Sequence, residues 1–127
     1  MDNHAVIQIG GFYNIGFAVF HIMFWKIFGW KTELSKLTRI NRAVMQVLNL
    51  CLTFCFVFFG YISVFHAGEM IASRIGQKML LFIALFWLVR AVEQVVFFDF
   101  KRPMSIAMTV LFLFGFCLYA YPLVFVS

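Results

Sequence analysis

Four long apolar runs, separated by short polar stretches, leave this chain few ways to fold. They lie at about 5–28, 43–66, 78–100 and 104–125. Each meets the roughly 20 residues that a helix needs to cross the hydrocarbon core of a bilayer. None alternates apolar with polar residues as the strands of a membrane barrel do. Inside lipid every backbone N–H and C=O must be satisfied, and a helix does this within one segment. The expected fold is therefore all-α, a polytopic four-transmembrane-helix bundle forming a single domain over residues 1–127.

Composition points the same way. Of the 127 residues 65% are hydrophobic and 12% charged, and 19 are Phe. A water-facing surface cannot be built from so few polar side chains, so the excess must meet the lipid bilayer or a partner chain. The net charge of +5 does not argue for nucleic acid, because the basic residues sit beside the ends of the apolar runs. Lys26, Lys31, Lys36, Arg39 and Arg42 flank or occupy the first loop, and Lys101 and Arg102 the third. The second loop has only Arg74 and Lys78, and the termini have none. An excess of Lys and Arg marks cytoplasmic loops. Loops 29–42 and 101–103 are expected in the cytoplasm, with the N-terminus and C-terminus outside it, in a bacterial inner membrane or an endomembrane.

The first run begins with Asp2, Asn3 and His4 instead of a basic segment, and no small-residue cleavage site follows, so it is not expected to be a cleaved signal. Cys51, Cys55 and Cys117 lie within apolar runs, and their odd count gives no disulfide framework. Residues 30–37 read equally as an interfacial segment, with Leu34 and Leu37 dipped among headgroups, or as a solvated connector.

Spacings of three and four residues define the face of each helix. Gly11, Asn14, Ala18, His21 and Trp25 share one on the first run, and Arg42, Gln46, Asn49, Thr53 and Gly60 on the second. Trp87, Arg90, Glu93, Gln94 and Phe97 share one on the third; the fourth offers Ser105, Thr109, Gly115 and Tyr119. Lipid supplies no hydrophobic drive for helix association, so these small and polar stripes are expected inside and the Phe-rich faces outside. At ~1.5 Å per residue, His21, Gln46, Asn49, Arg90, Glu93 and Gln94 fall at similar depth, in one polar layer opening to the cytoplasm.

An Arg or an acid near a helix centre costs roughly 2.5–3.5 kcal/mol by insertion scales. Arg90 and Glu93 can offset part of this by pairing on their own helix, which would make the layer a packing device. The alternative is a ligand, substrate or ion site. On the other side His66 and Glu69 are spaced i, i+3, with His4 as a third group, but His4 sits in a terminal turn and no metal site is expected. No phosphate-cradling Gly loop, nucleophile elbow, zinc-protease helix or Cys-x-x-Cys is present.

The stretch Arg39-Ile40-Asn41-Arg42-Ala43-Val44-Met45-Gln46-Val47-Leu48-Asn49 resembles the Arg-x-x-Arg-Ala-x-x-Asn-x-x-Glu pattern of the MAPEG family, the membrane-associated proteins of eicosanoid and glutathione metabolism. Arg90-x-x-Glu93-x-x-x-Phe97, followed by Lys101-Arg102-Pro103, is similar to that family's third-helix pattern and basic-Pro turn. The resemblance implies a homotrimer binding glutathione between subunits, with Arg42, Gln46, Asn49 and Arg90 as the matching ligands. It also implies an Arg that stabilises the thiolate and a lipophilic substrate that enters from the bilayer. The chain departs from the pattern at Asn49, where the family has an acid, at Glu93 for His and at Phe97 for Tyr. Met104 and Ser105 stand where a basic residue is expected, leaving Arg102 as the stand-in.

Three functional classes follow. The first is a small integral membrane protein whose intramembrane pocket takes a small or amphipathic ligand through His21, Arg42, Gln46, Asn49, Arg90, Glu93 and Gln94. Within it, glutathione-linked transferase chemistry would draw on Arg90, Glu93 and Arg102 as catalytic candidates. The second is a non-enzymatic subunit or scaffold in which these residues only set packing. The third is a proton-coupled transporter using Glu93 and His21. The residues alone leave enzymatic activity open.

Overall fold

A computed structural model describes residues 2–99 and 101–125. The described residues form helices and no strand. The helices are α1 (Asn3–Ile22), α2 (Phe24–Ile27), α3 (Trp30–Glu33), α4 (Arg39–Phe65), α5 (Ala67–Ala72), α6 (Arg74–Phe97) and α7 (Pro103–Val124). The four long ones, α1, α4, α6 and α7, are each long and apolar enough to cross a membrane. Phe100, the last residue of the expected third run, lies outside the described residues.

Polar residues at the run boundaries start the long helices. The side chains of Asp2, Thr38 and Ser73 accept hydrogen bonds from the backbone N–H of His4, Asn41 and Gly76, at 3.2, 3.3 and 2.9 Å. Each satisfies a donor that the first turn leaves free. Pro103 opens α7, where its missing N–H removes nothing.

The first run is shorter than expected. It breaks at Met23, and the chain continues through α2, Gly29 in the left-handed region (φ 60°), α3 and a 3-10 turn at Leu34–Lys36. Trp30 and Leu34 are buried, so Leu34 packs into the protein instead of dipping among headgroups; Leu37 is half-buried. The cause is Arg42. Its Nε and Nη2 donate to the carbonyls of Leu34 and Leu37 at 3.1 and 3.3 Å, tying the loop to the start of α4.

The long helices lie in the order α4, α1, α7, α6, with α1 against α4 and α6 against α7 as the most extensive pairings. The α1–α4 crossing is set by Gly11 and Gly60: a Cβ at Gly11 would stand 3.0 Å from the Gly60 carbonyl, and one at Gly60 as close to the Gly11 carbonyl. Between α1 and α7 the fit is reciprocal. Tyr13 of α1 lies over Gly115 of α7, and Tyr119 of α7 over Gly10 of α1. Asn3 Nδ2 donates to the Phe125 carbonyl at 3.2 Å, so α1 begins where α7 ends. One end of the bundle thus carries the start of α1, the end of α7 and α5; the other, the basic end, carries residues 29–38, the end of α6 and the start of α7.

The expected polar stripes are inside in large part: Gly11, Asn14, Ala18, Asn49, Gly60, Gln94, Ser105, Thr109, Gly115 and Tyr119 are all buried. Trp25, Glu93 and Phe97 are exposed, against expectation. The Phe residues do not all face outward either. Phe17, Phe56 and Phe112 are buried around Trp87, whose ring lies 4.8, 5.4 and 5.8 Å from theirs. Glycines let α1 approach α4 and α7 closely, and large rings fill the space around Trp87.

Candidate functional site: a cleft between two helices

Helices α4 and α6 are the outer members of the row, and aromatic side chains bridge them. Phe86 of α6 meets Phe56 and Phe59 of α4, each at 5.7 Å between ring centres. Below this bridge, toward the basic end, the seam opens into a cleft of about 660 Å³. This lies within the usual size of small-molecule sites, about 300–1,000 Å³. Its walls come from Leu52 and Phe56 of α4 and from α6; its floor is Phe17 and Phe20 of α1 with Met108 and Phe112 of α7. Phe82, Leu85 and Val89, which line it, are exposed, so the mouth faces sideways from the bundle.

Three polar side chains enter this apolar space: His21, Arg90 and Glu93. Arg90 Nη2 donates to Gln94 Oε1 at 3.0 Å, one turn along α6. A guanidinium has no acceptor, so Gln94 must present its oxygen to Arg90. Its NH₂ then donates to Ser105 Oγ of α7, at 3.1 Å. Gln94 is buried, and this relay holds the guanidinium in place. The guanidinium also sits 4.5 Å from the ring centre of Phe112 and 5.6 Å from that of Phe98. Cation–π contact of this kind contributes about 0.5–2 kcal/mol, more as water is excluded.

The Arg90–Glu93 pairing that the packing alternative would use is not closed within the chain. The ion pairs among the described residues are Lys36–Glu33, His66–Glu69 and Arg102–Asp99. Arg90 is drawn instead toward Gln94 and Phe112, on the buried side of α6, while Glu93 stays at the exposed rim.

His21 ends α1. Its Nδ1 lies 2.8 Å from the Phe17 carbonyl, which can only accept, so Nδ1 carries a proton and, in the neutral ring, Nε2 keeps a lone pair. The ring is held between Phe24, stacked at 4.4 Å, and Phe56 at 4.9 Å.

The remaining expected site residues lie elsewhere, so the single polar layer is divided. Gln46 and Asn49, with Thr53, line a second groove of about 470 Å³ bounded by Ile22 and Trp25. Asn49 Nδ2 donates to the His21 carbonyl at 3.0 Å, and its Oδ1 is buried without a partner. Arg42 is engaged with the first loop, and Arg102 lies outside the cleft, paired with Asp99 at 3.7 Å. Equal depth along a helix axis does not fix rotation about it, and α4 turns its amides away from α6. At the other end His66 Nδ1 meets Glu69 Oε1 at 3.0 Å, with His4 beside Gly68. No group of three His, Cys, Asp or Glu side chains suited to a metal gathers among the described residues.

Two features were not visible in the sequence. The aromatic walls of the cleft are one. The other is a buried node in which Tyr119 Oη accepts from Asn14 Nδ2 and pairs with Ser63 Oγ, both at 2.8 Å. These residues lie on three helices, and no spacing along the chain connects them.

No family model, curated protein or solved structure matches the chain.

Proposed function

We propose that this is an integral membrane protein that binds an amphiphile from the bilayer in the cleft between α4 and α6. The observation that carries this is the combination of a sideways-facing aromatic cleft with a fixed guanidinium inside it. Aromatic walls suit an apolar chain, and Arg90 offers charge-assisted donors to a phosphate or carboxylate head. The basic end then faces the cytoplasm, placing the head near that side of the membrane.

Native mass spectrometry of the detergent-purified chain tests the proposal. Retained amphiphile is expected in the native protein and not in Met108→Trp, which fills the cleft floor. Retention that is absent, or unchanged by Met108→Trp, overturns it.

A thiol-transfer reading, as the MAPEG resemblance implies, draws on a separate observation: Gln46 and Asn49 line a groove of their own, and the Asn49 amide oxygen is buried there without a partner. One chain does not bring Arg90 to that groove, so glutathione would need a second copy to complete its site. Stabilisation by glutathione that depends on both Arg90 and Asn49 is the result expected of that reading. The packing-only alternative predicts no ligand at either groove.

A further inference from the structure

Resting on the cleft as an amphiphile site, we propose that its ligand carries a zwitterionic head with a primary ammonium, the head of phosphatidylethanolamine, its phosphate on Arg90 and its ammonium on Glu93 and His21.

Two opposite charges share a helix and interact, yet do not close a direct ion-pair contact. Arg90 and Glu93 are three residues apart on α6 and line the same cleft, yet form no ion pair. Gln94 and Phe112 hold the guanidinium instead, and Gln94 is a neutral acceptor that takes one of its five N–H donors. The remaining donors stay available to an anion, although the Glu93 carboxylate already interacts with the guanidinium at longer range. Glu93 keeps its carboxylate at the rim, within reach of a cation beside that anion.

His21 adds direction. In the neutral ring, with the proton on Nδ1 committed to the Phe17 carbonyl, Nε2 accepts, and an ammonium supplies N–H donors. The walls thus offer one anion site, one carboxylate and one neutral acceptor, with no net charge between Arg90 and Glu93. A purely anionic head would set its charge against Glu93. A quaternary ammonium has no N–H for Glu93 or His21. A phosphoethanolamine head satisfies all three, its charges joined by a two-carbon bridge that suits side chains about one helical turn apart. Its acyl chains lie among Phe17, Phe56, Phe86 and Phe112 and leave through the sideways mouth beside Val89.

The delipidated chain is titrated with phosphatidylethanolamine, phosphatidylcholine and phosphatidylglycerol of identical acyl chains, with bound lipid read by native mass spectrometry. Ethanolamine lipid is expected to bind about tenfold more tightly than the other two, as one hydrogen bond to a charged group would give. Glu93→Gln at the rim should erase this preference while retaining lipid. Val89→Trp at the mouth should lose all three lipids. Equal binding of the three heads, or a preference that survives Glu93→Gln, overturns the inference and leaves amphiphile binding standing. No lipid bound at all overturns the underlying function instead. Glycerophosphoethanolamine, the head without chains, is the final arm. Failure to compete supports a bilayer lipid, and competition at concentrations equal to the lipid's overturns that source.

Discussion

Several buried polar side chains in this bundle are held by partners on other helices, and for these the sequence shows only half of each pair. Asn14 is buried and spends both N–H donors, on the Gly10 carbonyl at 2.9 Å and on Tyr119 Oη, while its Oδ1 has no partner. Tyr119 in turn joins Ser63, so one hydroxyl links α1, α4 and α7. Interhelical hydrogen bonds in membranes contribute about 0.6 kcal/mol on average and up to about 1.7. Tyr119→Phe removes two of them and leaves Asn14 and Ser63 short of partners, so a loss of about 1–2 kcal/mol is expected. Reversible unfolding in mixed micelles measures it; a variant as stable as the native chain would show that the node does not hold the bundle. Gln94 illustrates the same limit. Its inward placement was legible from the α6 stripe, but its role in aiming Arg90 depends on Ser105, eleven residues on and across a turn.

At the scale of elements, the four spans were legible because lipid imposes length and apolarity on each segment separately. Their ends were less so. The first span stops at Met23, and the loop beyond it folds onto the protein through Arg42, a residue read from sequence as a ligand. Glycines set the α1–α4 pairing more sharply than any polar group. Gly60 faces Ile15 and the Gly11 carbonyl with no room for a side chain. Gly60→Leu should force the helices apart and cost upward of about 2 kcal/mol, as overpacking does. A cysteine pair across this crossing would then lose its oxidative crosslink; crosslinking at native yield would mean that the contact is not tight.

For the whole molecule, the order α4, α1, α7, α6 leaves one seam to be closed by rings, and the cleft lies there. The basic loops and the cleft share an end, so orientation bears directly on function. With Ser35→Cys and Gly68→Cys in a chain cleared of native cysteines, an impermeant thiol reagent should label position 68 from outside. Position 35 should react only after permeabilisation. The reverse pattern would place the cleft's charged end away from the cytoplasm and overturn the orientation. Much of α4 and α6 is exposed and apolar, including Phe54 at 74% and Phe82 at 70%, as lipid-facing helices require.

The sequence by itself determined that there are four apolar helices and which residues carry charge within the apolar runs. Each of these follows from the local chemistry of one segment in a membrane. The tertiary structure decided which polar groups share a space. Rotation of each helix about its axis, set by Gly11 against Gly60 and by Tyr13 and Tyr119 against the glycines they cover, sent Gln46 and Asn49 to one groove. It sent His21, Arg90 and Glu93 to another. Depth is a property of sequence position; rotation is a property of packing, and the cleft depends on both.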